Sequence, residues 1–137
     1  MLIYFSCSIR GGRQKEKTYE KIVQELKKYG NVLNEEIAKS NLEVEEIHNT
    51  PEQIYNKDIE LIKRCDIVFA EVTVPSLGVG YELAYAEKIK KKVICIKESN
   101  KDISAMIIGN RNFKIINYNT MEDLTKKIQI IMKNKEE

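Results

Sequence analysis

The chain has 137 residues, of which 42% are hydrophobic and 32% charged, and its 23 Lys and Arg residues against 21 Asp and Glu give a net charge of +2. This length is typical of one globular domain and excludes a second. The charge balance argues against a broad nucleic-acid-binding surface, which would need a strongly basic chain. We also expect no membrane attachment, because no apolar run approaches the ~20 residues of a membrane span and the first residues do not resemble a signal peptide.

The three cysteines, Cys7, Cys65 and Cys95, are odd in number and lack the spacing of a disulfide framework or a zinc site. We therefore expect free thiols, no zinc site and a reducing, cytoplasmic location. No other metal and no cofactor are predicted.

Strand and helix patterns alternate along the chain. The first part of the chain predicts a strand at 2–6, a helix at 16–29 ended by Gly30, and a weak strand at 32–33. An irregular acidic stretch at 35–52, with at most a turn of helix, leads to a helix from Thr50 to Arg64. The remainder predicts a strand at 66–72, a helix through Lys90, strands at 93–96 and 113–116, and a terminal helix containing Met121. The strongest helix start is Thr50-Pro51, where a capping Thr, a Pro and a Gln three residues on coincide.

Five strands that alternate with helices predict an α/β, three-layer Rossmann-like or flavodoxin-like fold with a five-stranded parallel sheet. We expect one domain over residues 1–134 and a frayed tail at 135–137. Ligands of such folds bind beyond the carboxyl ends of the strands, and the strand at 66–72 should be the central one. The functional residues are therefore sought just after the strands.

The first candidate is the loop Ser8-Ile9-Arg10-Gly11-Gly12-Arg13, directly after the first strand. A hydroxyl, a guanidinium and free backbone N–H groups beside a helix start suit a phosphate monoester. The loop matches neither a dinucleotide fingerprint nor a Walker loop. A solvated turn is an equally good interpretation of this segment alone.

The second candidate is Asp58, which a helical wheel places on the apolar stripe of Ile54, Leu61, Ile62 and Cys65. A carboxylate that faces a sheet is costly unless it has partners or a shifted pKa, and such groups are often functional. The alternative is that Asp58 lies near the end of the stripe and reaches water.

The third candidate is Glu82, within Pro75-Ser76-Leu77-Gly78-Val79-Gly80-Tyr81-Glu82-Leu83. This segment should open a helix after the central strand, with Glu82 on a crowded, partly dry face beside Gly78. A glutamate in an early helical turn is more often a surface residue that complements the helix dipole. Two carboxylates and a phosphate cradle at one edge nevertheless fit attack on the anomeric carbon of a phosphorylated sugar, as in retaining glycosidases, whose carboxyl groups stand about 5–5.5 Å apart. The residues alone therefore predict a phosphosugar or nucleotide enzyme.

Together these segments resemble the 2'-deoxynucleoside 5'-phosphate N-hydrolase family, within the nucleoside 2-deoxyribosyltransferase superfamily. The resemblance extends over nearly the whole chain and rests on Tyr4-Phe5, Ser8 to Arg13, Tyr19-Glu20, Asp58, Ala70 to Thr73, Pro75 to Leu83 and Ser104 to Ile107. It implies cleavage of a deoxynucleoside 5'-monophosphate into free base and deoxyribose 5-phosphate.

The resemblance also implies roles for individual residues. Glu82 matches the nucleophile that forms a covalent intermediate with the sugar, Asp58 the second catalytic carboxylate, and Tyr4 a residue that orients the nucleophile. The implied substrate-binding residues are Ser8, Ile9, Arg10, Gly11, Gly12, Tyr19, Ser76, Gly78, Ser104 and Met106. In the family, the segment of Ser104 and Met106 enters the partner's site, which implies a homodimer. Ser76 replaces an aspartate of the nucleoside transferases, and a serine there favours phosphorylated substrates.

Two residues depart from the family pattern: Cys7 stands where a glycine is usual, and Glu36 where animal members have a histidine towards the base. Base preference therefore stays open, and Cys7 is interpreted as a small hydrophobic residue rather than a redox site. The open alternatives are hydrolysis of a ribonucleotide such as CMP, deoxyribosyl transfer to another base, and a non-catalytic nucleotide sensor. The only histidine, His48, is expected to be exposed.

Overall fold

The computed structural model of the protein describes residues 1–9, 15–38 and 49–135. The strands are β1 Leu2–Ser6, β2 Asn31–Val32, β3 Ile67–Glu71, β4 Lys92–Glu98 and β5 Phe113–Tyr118. The helices are α1 Glu16–Leu26, α2 Pro51–Arg64, α3 Leu77–Lys88, the single turn α4 Ala105–Ile108, and α5 Met121–Lys135, with a 3₁₀ turn at Glu35–Ala38. The last helix thus reaches into the stretch predicted as a tail.

The five strands form one parallel sheet in the order β2-β1-β3-β4-β5. The predicted three-layer α/β fold is confirmed, and β3 is the central strand. Because every strand runs the same way, all five carboxyl ends meet at one edge of the sheet. That edge carries the candidate site.

The two faces of the sheet pack against different helices, as the two-residue period of a strand requires. Ile3 and Phe5 of β1 point into a core shared with α1 and α5. Tyr4, between them, points into the opposite core, which is shared with α2 and α3. A residue of β1 therefore faces α2 and α3 only at even-numbered positions.

Helix α2 begins as the sequence predicts. Thr50 Oγ1 accepts a hydrogen bond from the Gln53 backbone N–H at 3.1 Å, and Gln53 Oε1 accepts from the Thr50 N–H at 2.9 Å. This reciprocal capping box, with Pro51 at the first helical position, fixes the start of the helix. Its end at Arg64 also agrees with the prediction.

The prediction that Gly30 caps α1 is wrong. The helix ends at Leu26, and the strand that follows begins at Asn31. Gly30 instead passes close to the start of β1, where an added Cβ would lie 2.4 Å from the carbonyl oxygen of Met1. The glycine is needed for this close backbone approach, not for a helix cap.

The turn that ends helix α3 contains a lysine with an unfavourable backbone conformation. Lys90 has φ 64°, in the left-handed region, where its N–H bonds the Glu87 carbonyl at 3.0 Å and the Lys91 N–H bonds that of Ala86 at 2.9 Å. This terminal turn favours glycine. We expect Lys90→Gly to raise the free energy of unfolding by about 0.5–1 kcal/mol in urea denaturation. Lys88→Gly, in the last helical turn, should lower it, and an unchanged or less stable Lys90→Gly protein would contradict the prediction.

In the ranges that the structure describes, no helix is both long enough and apolar enough to cross a membrane.

Candidate active site

The site is built around the carboxylate of Glu82 on α3. Glu82 Oε2 accepts a hydrogen bond from the hydroxyl of Tyr4, and Oε1 accepts one from Ser6 Oγ at 3.2 Å. Tyr4 and Ser6 lie two residues apart on β1, so both point to the face that carries α3. Each oxygen of Glu82 therefore has its own donor from one buried strand.

This environment changes the acidity of Glu82. Burial raises the pKa of Glu82 to about 7, and the charge of Asp58 adds to this, although the hydrogen bonds from Tyr4 and Ser6 act in the opposite direction. Burial, and then the negative charge of Glu82, holds the pKa of Tyr4 well above its ordinary value. Tyr4 is therefore a neutral phenol, able to donate to Glu82, while Glu82 is populated both protonated and ionised near neutral pH.

Asp58 lies half-buried on α2, beside this pair. Its charge raises the pKa of both Glu82 and Tyr4, which places the second carboxylate within electrostatic reach of the first. Ile62, one turn further along α2, is fully buried, so the predicted apolar stripe does face the sheet. The structure thus brings together the three residues predicted to be catalytic.

The phosphate loop is described only at its start. Ser8 follows β1 and is buried, and Ile9 is half-buried. Arg10, Gly11 and Gly12 lie outside the described residues, as does His48.

Ser76 caps α3 at the end of β3. Its Oγ accepts the Val79 N–H at 3.2 Å, so the helix that carries Glu82 begins at the carboxyl edge of the sheet. Glu82 is half-buried, which agrees with the predicted partly dry setting, but the prediction that the glycines pack closely around it is wrong. An added Cβ on Gly78 would meet only Ser76 Oγ at 3.8 Å, and one on Gly80 would meet nothing within 4 Å. The first turn of α3 is therefore bordered by open space.

Tyr19 lies on the other side of the sheet. It is buried on α1 and packs edge-to-face on Phe5, with ring centroids 6.1 Å apart. Its hydroxyl has no hydrogen-bond partner in the part of the chain that the structure describes. The structure does not bring Tyr19 to Glu82.

Ser104 and Met106 line a cavity that does not include Glu82. This cleft of about 640 Å³ lies between the start of α3 and α4, and Ser76 and Leu77 form part of its wall. Ser104 Oγ caps α4 by accepting the Met106 N–H at 3.2 Å. Glu82 is not among the residues that line the cleft, so within one chain the structure does not bring Ser104 and Met106 to the carboxylate.

No role was predicted for several buried polar residues at this edge, among them Ser6 and Glu71. Ser6 could have been found from the two-residue period that places it with Tyr4. Glu71, the last residue of β3, accepts hydrogen bonds from the Thr73 N–H at 2.6 Å and the Tyr118 hydroxyl at 2.5 Å. These bonds fix the turn that leads from β3 towards α3, and no sequence pattern signals them.

The two departures from the family pattern have clear surroundings. Cys7 is buried, and burial raises the pKa of its thiol, which fits its interpretation as a small hydrophobic residue. Glu36, on the 3₁₀ turn, forms an ion pair of 2.9 Å with Lys57, the neighbour of Asp58 on α2. Among the described residues, no group of three or more His, Cys, Asp or Glu side chains could hold a metal ion.

Fold and site together define a Rossmann-like α/β protein with a tyrosine-bound carboxylate at the carboxyl edge of its sheet. The family model for nucleoside 2-deoxyribosyltransferase matches residues 3–131, and the chain belongs to this family.

Curated relatives agree with this assignment. The chain is 45% identical over 114 residues to the 5-hydroxymethyl-dUMP N-hydrolase of Esox lucius, a match that spans 80% of this chain and 79% of that protein. It is 43% identical over 111 residues to the 5-hydroxymethyl-dUMP N-hydrolase of Homo sapiens, across 78% of this chain and 64% of the human protein.

A solved structure shares the fold. The Clostridium botulinum CMP N-glycosidase BcmB superposes with a TM-score of 0.75 over 96% of this chain and 99% of that one, at 23% sequence identity. At this identity, the match supports the three-layer architecture alone.

Proposed function

We propose that the protein hydrolyses the N-glycosidic bond of 2'-deoxynucleoside 5'-monophosphates, releasing free base and deoxyribose 5-phosphate. One observation carries the proposal: Glu82 is hydrogen-bonded by Tyr4 and lies beside Asp58, in a chain whose curated relatives are named N-hydrolases of such a nucleotide. A carboxylate pair is the machinery that cleavage at an anomeric carbon requires.

Glu82 is the proposed nucleophile. Its ionised carboxylate attacks C1' of the sugar, the C1'–N bond breaks, and the bonding electron pair leaves with the base. Tyr4 orients the attacking carboxylate, and Asp58 contacts the sugar and assists departure of the base. Water then attacks C1' of the glutamyl ester, and the bond between C1' and Glu82 breaks, which returns the ionised carboxylate. The hydroxyl of the water stays on the sugar, and its proton balances the one that the base has gained.

The substrate phosphate is proposed to lie in the loop after β1, beside the start of α3. Ser8, at the buried base of the loop, and Ser76, at the helix cap, supply neutral hydroxyls rather than repelling charges. The remaining residues assigned to the substrate are Ile9, Arg10, Gly11, Gly12 and Gly78, whereas Tyr19 is buried on the opposite side of the sheet. The free cysteines fit a cytoplasmic location.

Product analysis with a nucleotide panel tests this function. The protein is incubated with dCMP, dGMP, 5-hydroxymethyl-dUMP, CMP and GMP, and free base and sugar phosphate are quantified. We expect base release from at least one deoxynucleotide, faster than from its ribonucleotide. No base from any member of the panel, with the protein folded and of its native oligomeric state, would refute the proposal.

Deoxyribosyl transfer is the second candidate, and the description of the matching family favours it. Transfer differs from hydrolysis only in the molecule that accepts the sugar phosphate from Glu82, which would be a second base instead of water. An acceptor base added to the same assay distinguishes the two, because transfer produces a new nucleotide.

A homodimer that completes the site is also part of the proposal. Leu77 and Met106 line the same cleft beside α3 and are 96% and 83% exposed, and exposed apolar side chains grouped on one surface are typical of an interface. Ser104 and Met106 line a cleft that does not include Glu82 of their own chain, and we propose that they contact the substrate held by Glu82 of a second copy.

Mixing two inactive variants tests the shared site. One chain carries Glu82→Gln, and the other carries Ser104→Ala with Met106→Ala. If residues are shared, the mixed dimer contains one site with an intact Glu82 and an intact partner segment, and we expect activity well above the sum of the two variants. Activity equal to that sum, with subunit exchange verified by mass spectrometry, would show that each chain uses its own segment.

A further inference from the structure

Ser6 is a buried hydroxyl that the proposed mechanism does not use. It is the last residue of β1 and is 0% exposed, and the residue paired with it on β3 is the small Ala70. Its one contact of functional interest is the hydrogen bond of 3.2 Å from its Oγ to Glu82 Oε1. Because this hydroxyl is buried and bonded to Glu82, the route by which Ser6 would influence the reaction is that carboxylate.

Each oxygen of the Glu82 carboxylate accepts a hydrogen bond from a different donor. Tyr4 donates to Oε2 and Ser6 to Oε1, and both side chains project from β1, which is paired with β3 from Ile3 to Ser6. One donor would leave the carboxylate free to rotate about its last bond. Two donors, one to each oxygen, fix the plane of the group and therefore the direction of its lone pairs.

We propose that Ser6 is a positioning residue for the glycosidic reaction, which holds the Glu82 carboxylate ionised and in the attacking orientation through its hydrogen bond to Oε1. This inference rests on the proposed function only for its consequence on the rate. The effect on ionisation is a property of the free protein.

The surroundings of Glu82 explain why a second donor matters. Burial and the charge of Asp58 both favour the protonated, non-nucleophilic form, and Tyr4 and Ser6 are the hydrogen-bond donors that oppose them. Cys7, the residue after β1, packs in the opposite core, and burial raises the pKa of its thiol, so it adds no charge near Glu82. In the described part of the chain, no cation is paired with Glu82, so these donors act without the help of an ion pair.

The first test compares pH profiles of kcat/KM for three variants. For Ser6→Ala, we expect the acidic limb to move up by about one pH unit, a tenfold change in the ionisation equilibrium, and KM to stay within about twofold. Ser6→Cys, with a weaker donor, should fall between Ser6→Ala and the unchanged protein. The matched control is Cys95→Ala, which removes one buried heavy atom from the same core and should leave the limb in place.

The second test needs no activity. Titration of ¹³C-labelled glutamate carboxyls by NMR, with Glu82→Gln to assign the signal, reads the ionisation of Glu82 directly. A raised midpoint in Ser6→Ala, with an intermediate one in Ser6→Cys, supports the proposal. Coincident midpoints for Ser6→Ala and the unchanged protein overturn it, as does an equal shift in Cys95→Ala. If Ser6→Ala does not fold, the midpoint of Ser6→Cys tests the proposal by the same criterion. If the protein releases no base, the proposed function is refuted, but the titration still tests the effect of Ser6 on Glu82.

Discussion

Replacing Glu82 by glutamine should reduce base release by about 10⁴-fold or more while leaving nucleotide binding intact. The expected loss is large because no neutral amide can attack C1', and removal of a nucleophile is among the most severe changes an active site can undergo. Glutamine has nearly the same shape and can still accept the hydrogen bond of Tyr4. Steady-state kinetics and calorimetric binding of a deoxynucleotide measure the two properties separately.

The same substitution should make the protein more stable at high pH. The pKa of Glu82 is about 7 in the folded protein against an ordinary 4.5, so between these values the folded state binds more protons than the unfolded state. Stability therefore falls as pH rises from 4.5 to 7, and the cost of ionising the buried group is fully present above pH 7. Glutamine has no such cost, so at pH 8 the variant should be more stable by about 1–3 kcal/mol, and the advantage should disappear near pH 4.5.

Urea denaturation at pH 5 and pH 8 checks this dependence. Glu20→Gln, an exposed change on α1, is the matched control and should show no pH-dependent difference. Full turnover in Glu82→Gln would exclude Glu82 as the nucleophile. An equal stability difference at both pH values would exclude a costly buried charge.

Replacing Asp58 by asparagine should lower kcat by about 10²–10⁴-fold, the range of a positioned acid–base group. The pH profile should also change in a particular direction. Asp58 raises the pKa of Glu82, so loss of its charge should move the acidic limb to lower pH, opposite to the effect of Ser6→Ala. Because Asp58 is assigned to departure of the base, the loss should be smaller for a nucleotide whose base leaves without protonation.

Glu60→Gln is the control for Asp58, since Glu60 is an exposed carboxylate on the same helix. It should retain both the rate and the profile. An unchanged acidic limb in Asp58→Asn would show that the two carboxylates are not electrostatically linked. An equal loss for good and poor leaving bases would assign Asp58 to substrate binding alone.

The fold could be predicted well from the sequence because its signals are local. The capping box at Thr50 and the continuous apolar run of β3 each need only a few neighbouring residues to identify them. Gly30 was misinterpreted because a glycine after a helix has two explanations. The correct one, contact with Met1, depends on a strand nearly 30 residues away in the chain.

The site was predicted less completely. Helical spacing placed Asp58 correctly towards the sheet, and the resemblance joined it to Tyr4 and Glu82. The two-residue period of a strand places Ser6 on the same face as Tyr4. Ser6 was nevertheless not predicted as a site residue, because an uncharged serine within an apolar strand gives no signal of function. The hydrogen bonds of Glu71 to Thr73 and Tyr118 depend on how two strands end side by side, which periodicity does not encode.

The separation of Ser104 and Met106 from Glu82 is likewise a tertiary property. Both residues follow β4, whose end lies at the same edge as the end of β1, so the pattern alone places them near the site. Their cleft borders the start of α3 and has Ser76, but not Glu82, in its wall. The position of α3 therefore separates the cleft of Ser104 and Met106 from the carboxylate of Glu82, and the sequence pattern does not encode that position.

Rapid-quench mass spectrometry of the protein with a reactive deoxynucleotide tests most directly whether Glu82 is the nucleophile. As the first equivalent of base is released, we expect the protein to gain the mass of one deoxyribosyl phosphate group on the peptide that contains Glu82. The Glu82→Gln variant should gain none. Release of base with no adduct at any quench time, or an adduct on a different residue, would contradict this expectation.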